Sequence, residues 1–200
     1  METVILARHA ESEFSARAAC NGDPAVGGGA LTEVGREQAR ALGTLLAADD
    51  VALAVTTEFA RTQETAALAL EGRVVPLLVV PELNDIRFGS FEGALLADYR
   101  GWASNAGPAD ECPGGGESRA AAAARFARGF RTVLERPEPT ALVVAHALPI
   151  RYVLGALLEH DPAATIEPVG YAEPHRVGAG QLGRAVARLE RWAAAPVFAR

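Results

Sequence analysis

Residues 3–12 read TVILARHAES, and this stretch decides both the expected fold and the expected place of a ligand site. Its first five residues are apolar and mostly β-branched, as in strands buried on both faces of a sheet. Arg8 and His9 follow directly, and in open α/β sheets ligands bind beyond the carboxyl ends of the strands. The stretch therefore predicts a buried first strand that carries two polar side chains to a ligand.

The same kind of apolar stretch recurs along the chain, bounded by turn residues. Further strands are predicted at residues 51–55, 74–80 and 141–145. Helical patterns lie between and after them, at residues 32–48, 60–70, 118–134, 148–158 and 181–194. This alternation predicts a three-layer α/β/α sandwich with a mostly parallel central sheet. The glycine- and proline-rich stretches 23–30 and 105–116 interrupt the pattern as loops, so we expect one domain over residues 1–200.

Composition narrows the classes of function. The net charge is −6, which disfavours proteins that bind nucleic acid or anionic membranes through accumulated positive charge. All 19 basic residues are arginine, which excludes a P-loop lysine, a Schiff base and a lysine general base. Two distant cysteines and the lack of a leader-like start favour a cytoplasmic protein with reduced thiols. The sequence leaves the oligomeric state open.

Two histidines and two arginines are expected to meet at one rim of the sheet. His146 follows the predicted strand 141–145 as His9 follows the first, and Arg61 lies near the start of the helix after strand 51–55. The planar guanidinium group of arginine matches phosphate oxygens bidentately. A neutral imidazole can attack phosphorus, and a second, protonated imidazole would offset the oxygen charge. This set suits a phosphate dianion.

Residues 8–12, RHAES, resemble the RHGET motif of the histidine phosphatase superfamily, which includes the cofactor-dependent phosphoglycerate mutases. Five further segments resemble motifs of that family in the same order: LTEVGREQA at 31–39, TTEFARTQETA at 56–66, PELNDIRFGSFEG at 81–93, GGES at 115–118 and VVAHA at 143–147. The matched blocks together extend from residue 3 to about residue 151.

The resemblance assigns roles to five residues. His9 would be the nucleophile that forms a phosphohistidine, and the phosphate pocket would be completed by Arg8, Arg61 and His146. The family's proton donor falls at Asp85, where a carboxylic acid would protonate the leaving oxygen and later deprotonate water. Aspartate is one methylene shorter than the family's glutamate, so Glu82 is kept as the alternative donor.

The chain departs from the family's motifs at several positions. Alanine replaces glycine after both histidines, at Ala10 and Ala147, which is tolerated if the backbone there is ordinary and strained if φ is positive. Ser15 stands where the family has an asparagine. Asn21 and Gly22 occupy the next substrate-loop position. Substrate contacts are expected at Ser15, Asn21, Gly22 and Ala147.

We therefore expect a phosphatase that hydrolyses a small phosphomonoester without a metal or organic cofactor. One alternative is a phosphoglycerate mutase, although residues 93–116 contain a single arginine and no long basic insert. The other is a phosphate-binding module with little turnover. Substrate specificity is expected from segments 20–30, 88–102, 107–116 and 171–176, in the last of which Tyr171, His175 and Arg176 either wall the pocket or lie on the surface.

Overall fold

The computed structural model describes residues 1–199. Its sheet contains five strands: β1 (Thr3–Arg8), β2 (Leu53–Thr56), β3 (Leu77–Val79), β4 (Thr140–Ala145) and β5 (His175–Gly178). They lie in the order β3-β2-β4-β1-β5, and only β5 runs antiparallel to its neighbour. The helices are α1 (Glu13–Ala16), α2 (Glu33–Leu45), α3 (Ala60–Ala69), α4 (Leu96–Ala103), α5 (Arg119–Leu134), α6 (Ala147–Leu157) and α7 (Ala179–Ala194). The predicted fold class is confirmed.

Alternate residues of β1 and β4 enter two separate hydrophobic cores. On one face, Val4 packs in a core with Phe126 of α5 and Leu189 of α7. On the other, Ile5 packs in a core with Leu42 of α2. Because both faces of these strands are buried under helices, the predicted strands are continuously apolar instead of alternating.

Three features differ from the sequence predictions. Strand β3 begins at Leu77 and not at residue 74, since Val74 is fully exposed and Pro76 has no N–H to donate to the ladder. Strand β5 was not predicted, because its HRVG sequence has no apolar run. The short helices α1 and α4 were not predicted either, since eight residues or fewer give little periodicity.

Strand register places the two histidines side by side. Arg8 at the end of β1 pairs with Ala145 at the end of β4, and the His9 N–H donates to the Ala145 carbonyl at 2.9 Å. Strand β2 flanks β4 and leads into α3, which carries Arg61. Carboxyl ends of parallel strands meet at one edge, so the topology brings all four predicted side chains to the same rim.

Candidate active site

One ring nitrogen of His9 is hydrogen-bonded to the backbone. Its Nδ1 lies 2.7 Å from the carbonyl oxygen of Ala10, which can only accept, so Nδ1 carries the proton and Nε2 keeps its lone pair. The side chain is buried, and burial followed by the charges of Arg61 and Arg8 holds the pKa of His9 well below its usual value. His9 is therefore a neutral imidazole whose Nε2 is free to act as a nucleophile.

His146 lies beside His9, with the ring centroids 5.3 Å apart. Its Nδ1 accepts from Arg61 Nη2 at 3.2 Å, so the proton is on Nε2, which donates to Thr57 Oγ1 at 3.0 Å. Burial and the Arg61 charge hold the pKa of His146 well below its usual value. The expected protonated second imidazole is thus replaced by a neutral one, because Arg61 already supplies positive charge there.

Arg61 is fixed by the loop that contains Asn21. Its Nη1 donates to Asn21 Oδ1, its Nη2 donates to the Asn21 carbonyl at 2.9 Å, and the guanidinium stacks on the Phe59 ring at 4.1 Å. Burial lowers the pKa of Arg61 to about 10 against the opposing charge of Asp85. Arg61 therefore remains charged at neutral pH in a fixed orientation.

Arg8 and Asn21 present buried donors to the same cavity. Arg8 Nη1 donates to the Val169 carbonyl at 2.9 Å, and its guanidinium lies 3.8 Å from the Tyr171 ring centroid. Arg8 Nε and Asn21 Nδ2 are buried with no hydrogen-bond partner among residues 1–199. Buried donors are costly to leave unpaired, so these two atoms indicate an acceptor-rich ligand such as an oxyanion.

Asp85 lines the same cavity as His9 and lies near His146. Its Oδ2 is 3.9 Å from His146 Nδ1, and its Oδ1 accepts from the Ile86 N–H at 3.0 Å. Burial raises the pKa of Asp85, opposed by the charge of Arg61. Glu82, the alternative donor, does not line the cavity among the residues described. The geometry thus favours Asp85 over Glu82.

The four residues expected to contact substrate lie in different settings. Ser15 lines the cavity, but its Oγ is 2.7 Å from Ser12 Oγ in the capping box of α1. Ala147 also lines the cavity, at the start of α6. Gly22 lies behind the wall, where its N–H donates to Glu92 Oε2 at 2.9 Å. Only Asn21, Ser15 and Ala147 therefore reach the cavity.

The backbone at the two alanine positions is ordinary. Among residues 1–199, the residues other than glycine with positive φ are Ala18, Glu159 and Ala172. Ala10 and Ala147 are not among them, so a methyl group causes no backbone strain at either position.

A cavity of about 500 Å³ is lined by Arg8, His9, Arg61 and Asp85. The expectation that His146 also lines it is wrong, because His146 is fully buried behind Arg61. Tyr171 lines the cavity, whereas Arg176 lies at the surface in an ion pair with Asp49 at 2.7 Å. His175 is likewise outside the wall. Tyr99 lies in the cavity wall within the expected segment 88–102, whereas the wall residues that sequence reasoning missed include Phe14, Arg119 and Leu148.

No group of three or more histidine, cysteine, aspartate or glutamate side chains within residues 1–199 is arranged to hold a metal ion. Within the same residues, no helix combines the length and apolar character needed to span a bilayer.

Comparison with known proteins gives three informative relatives. An adenosylcobalamin/alpha-ribazole phosphatase of Salmonella typhimurium is 39% identical over 87 residues, 44% of this chain and 42% of that protein. A 2,3-bisphosphoglycerate-dependent phosphoglycerate mutase 2 of Gloeobacter violaceus is 31% identical over 185 residues, 84% of this chain and 81% of that protein. The crystal structure of the alpha-ribazole phosphatase from Shigella flexneri superposes with a TM-score of 0.74 at 26% identity, covering 87% of this chain and 89% of that one.

The first curated relatives match over less than half of their own length. The family model, in contrast, matches most of this chain. The model of the histidine phosphatase superfamily (branch 1) matches residues 4–191. That range includes all the motifs described above and the side chains of Arg8, His9, Arg61, Asp85 and His146. The chain belongs to the histidine phosphatase superfamily.

Proposed function

We propose that this chain is a phosphatase that hydrolyses a small phosphomonoester through a phosphohistidine on His9. The observation that carries the proposal is the hydrogen bond from His9 Nδ1 to the Ala10 carbonyl at 2.7 Å. It fixes the tautomer and leaves the Nε2 lone pair available beside two guanidinium groups. A neutral nucleophile in a cationic pocket is the arrangement that phosphoryl transfer needs.

The first half of the reaction forms the phosphoenzyme. His9 Nε2 attacks phosphorus, the bond from phosphorus to the ester oxygen breaks, and Asp85 gives its proton to the leaving oxygen. Arg8, Arg61 and the Asn21 amide hold the three phosphoryl oxygens while charge redistributes. The raised pKa of Asp85, caused by burial, supports its role as the acid.

The second half releases phosphate. Asp85, now a carboxylate, takes a proton from water, the water oxygen attacks phosphorus, and the P–N bond to His9 breaks. His146 donates its Nε2 proton to Thr57 and accepts from Arg61, so it keeps the Arg61 fork aimed into the pocket. In this proposal His146 is a neutral positioning residue that orients Arg61, and it does not itself line the cavity.

The two guanidinium groups supply positive charge without a metal, and we propose a metal-independent reaction on that ground. Cys20 and Cys112 are buried free thiols, which supports a reducing compartment, the cytoplasm. The net charge of −6 supports a small phosphorylated substrate in preference to nucleic acid.

Hydrolysis of p-nitrophenyl phosphate separates an enzyme from a phosphate-binding module, since its good leaving group needs little acid assistance. We expect the wild type to release p-nitrophenol and His9→Ala to lose at least ~1,000-fold in kcat, as expected when a covalent nucleophile is removed. The control Arg128→Gln changes an exposed residue of α5 and should retain wild-type activity. A silent wild type on a broad phosphomonoester panel would favour the binding module.

The phosphoglycerate mutase is retained as a second candidate because of the relative from Gloeobacter violaceus. Incubation with 3-phosphoglycerate and a trace of 2,3-bisphosphoglycerate distinguishes the two. A phosphatase releases inorganic phosphate and glycerate, whereas a mutase returns 2-phosphoglycerate with little free phosphate.

A further inference from the structure

Arg119 is a buried arginine in the cavity wall that the proposed reaction does not use. It is 6% exposed, and its Nε donates to the Tyr152 hydroxyl at 2.6 Å. Its Nη2 lies 3.4 Å from the Ala163 carbonyl. Within residues 1–199 no carboxylate forms an ion pair with it. The remaining polar neighbour of the guanidinium is the Tyr99 hydroxyl, which leaves its positive charge unneutralised among the described residues.

Both the burial and the position of this charge are unfavourable without an anion. Arg119 is the first residue of α5, where the helix dipole presents its positive end. A buried guanidinium is tolerated when a negative group pairs with it. An anionic ligand would satisfy both requirements at once.

Tyr99 supplies a second unsatisfied group at the same wall. It is 5% exposed, it lines the cavity, and its hydroxyl lies beside the Arg119 guanidinium with no described acceptor for its own proton. Burial raises the pKa of Tyr99 to about 12 against the opposing charge of Arg119, so the hydroxyl keeps its proton. A protonated hydroxyl without an acceptor is a donor available to an anion.

Arg119 reaches the cavity wall from a different element than the residues around His9. Tyr152, whose hydroxyl accepts from Arg119, is six residues beyond His146, which is about 9 Å along the axis of α6 at a rise of 1.5 Å per residue. The same cavity wall includes the apolar residues Phe14, Leu96, Ala103, Leu148 and Ile166. Arg100 and Glu167 add one charge of each sign to this wall.

We propose that Arg119 and Tyr99 form a second anion subsite, so that the substrate is an elongated phosphomonoester with an apolar middle and a carboxylate or second phosphate at its far end. This inference rests on the proposed phosphatase function and names the substrate class.

A pair of esters that differ only in terminal charge tests the subsite. The probes are 4-(2-carboxyethyl)phenyl phosphate and its primary amide, which share size, leaving group and apolar middle. We expect the wild type to favour the carboxylate in kcat/KM by about 10-fold or more, the size of one charge-assisted contact. Arg119→Gln should bring the ratio close to 1 while changing turnover of the amide by less than about 3-fold.

Four further measurements complete the test. Tyr99→Phe keeps the ring packing and removes only the hydroxyl, so it should fold and reduce the ratio. Arg128→Gln, on the exposed side of the same helix, should leave the ratio unchanged. The shorter probe 4-(carboxymethyl)phenyl phosphate, whose carboxylate is one methylene nearer the ring, should lose the preference. An analogue with a terminal phosphonate in place of the carboxylate tests whether the subsite also takes a phosphate-like group.

Equal kcat/KM for the two esters in the wild type, or a preference that survives in both Arg119→Gln and Tyr99→Phe, would overturn the subsite. Loss of wild-type turnover on both esters would instead contradict the proposed phosphatase function. The two failures are therefore distinguishable.

Discussion

Arg125 Nη2 donates to the backbone carbonyl of Asp85 at 3.0 Å, and the same guanidinium donates to the carbonyls of Glu82 and Asn84 at 3.0 and 2.8 Å. Arg125 is itself held by Glu117 through bonds of 2.8 and 2.6 Å. One arginine thus fixes the loop that carries the proposed acid, although it does not line the cavity.

Replacing this arginine should impair the acid without removing it. We expect Arg125→Gln to lower kcat for an alkyl phosphate by about 10- to 100-fold, and for p-nitrophenyl phosphate by much less, because loss of acid positioning matters most for a poor leaving group. The control is Arg128→Gln, three residues along α5. Equal losses on both substrates would assign Arg125 a general structural role, and circular dichroism would check that the variant is folded.

The proposed acid itself makes a sharper prediction. Asp85→Asn should suppress alkyl phosphate hydrolysis by about 100- to 10,000-fold, while aryl phosphate hydrolysis falls far less. In the wild type, the alkyl rate should decline as pH rises through the pKa of Asp85, which burial raises. A pH profile of kcat for both substrates tests this. An alkyl profile with the same high-pH limb in Asp85→Asn would contradict the assignment.

Two buried neutral histidines should make stability depend on pH. Burial lowers the pKa of His9 and His146 in the folded state, so the unfolded chain binds more protons below about pH 6.5. Stability is therefore fully present above that pH and falls below it, by up to about 1.4 kcal/mol per pH unit for each histidine. Urea unfolding between pH 5 and 8 should show this slope, reduced in His9→Gln. An unchanged slope in that variant would rule out a contribution from His9.

Gly22 has a packing reason to be glycine. A Cβ there would lie 2.0 Å from the Ile86 carbonyl oxygen. Gly22→Ala should therefore cost about 1 to 3 kcal/mol, as overpacked positions do, and disturb the adjacent Asn21 that holds Arg61. Urea denaturation measures the first effect and KM for phosphate esters the second. Gly183→Ala is the control, since a Cβ there meets nothing within 4 Å. A stable Gly22→Ala variant would contradict this packing.

The sequence predicted the parts of the site that follow strands. Arg8, His9 and His146 were located because apolar strands end immediately before them, and parallel strands bring such ends together. Arg61 was placed at the same rim because it lies near the start of the helix after strand 51–55, whereas the placement of Asp85 depended on the family motifs. Asn21 was expected near substrate, but its hydrogen bond to Arg61 is seen only in the folded structure.

The missed features depend on contacts distant in sequence. Arg119 is positioned by its hydrogen bond to Tyr152, 33 residues away in the sequence. Arg125 is positioned by hydrogen bonds to backbone carbonyls 40 to 43 residues away. No local periodicity marks such pairs. Strand β5 was missed because an edge strand needs only backbone pairing with β1, which its polar HRVG sequence does not reveal.

Trapping the phosphoenzyme tests the His9 mechanism most directly. Wild-type protein mixed with excess substrate and quenched in alkali should carry acid-labile, base-stable phosphate, and mass spectrometry of its peptides should place the phosphate on His9. His9→Ala should carry none. Turnover of substrate with no phosphorylated histidine at the earliest quench times, or with the phosphate on another residue, would contradict the mechanism.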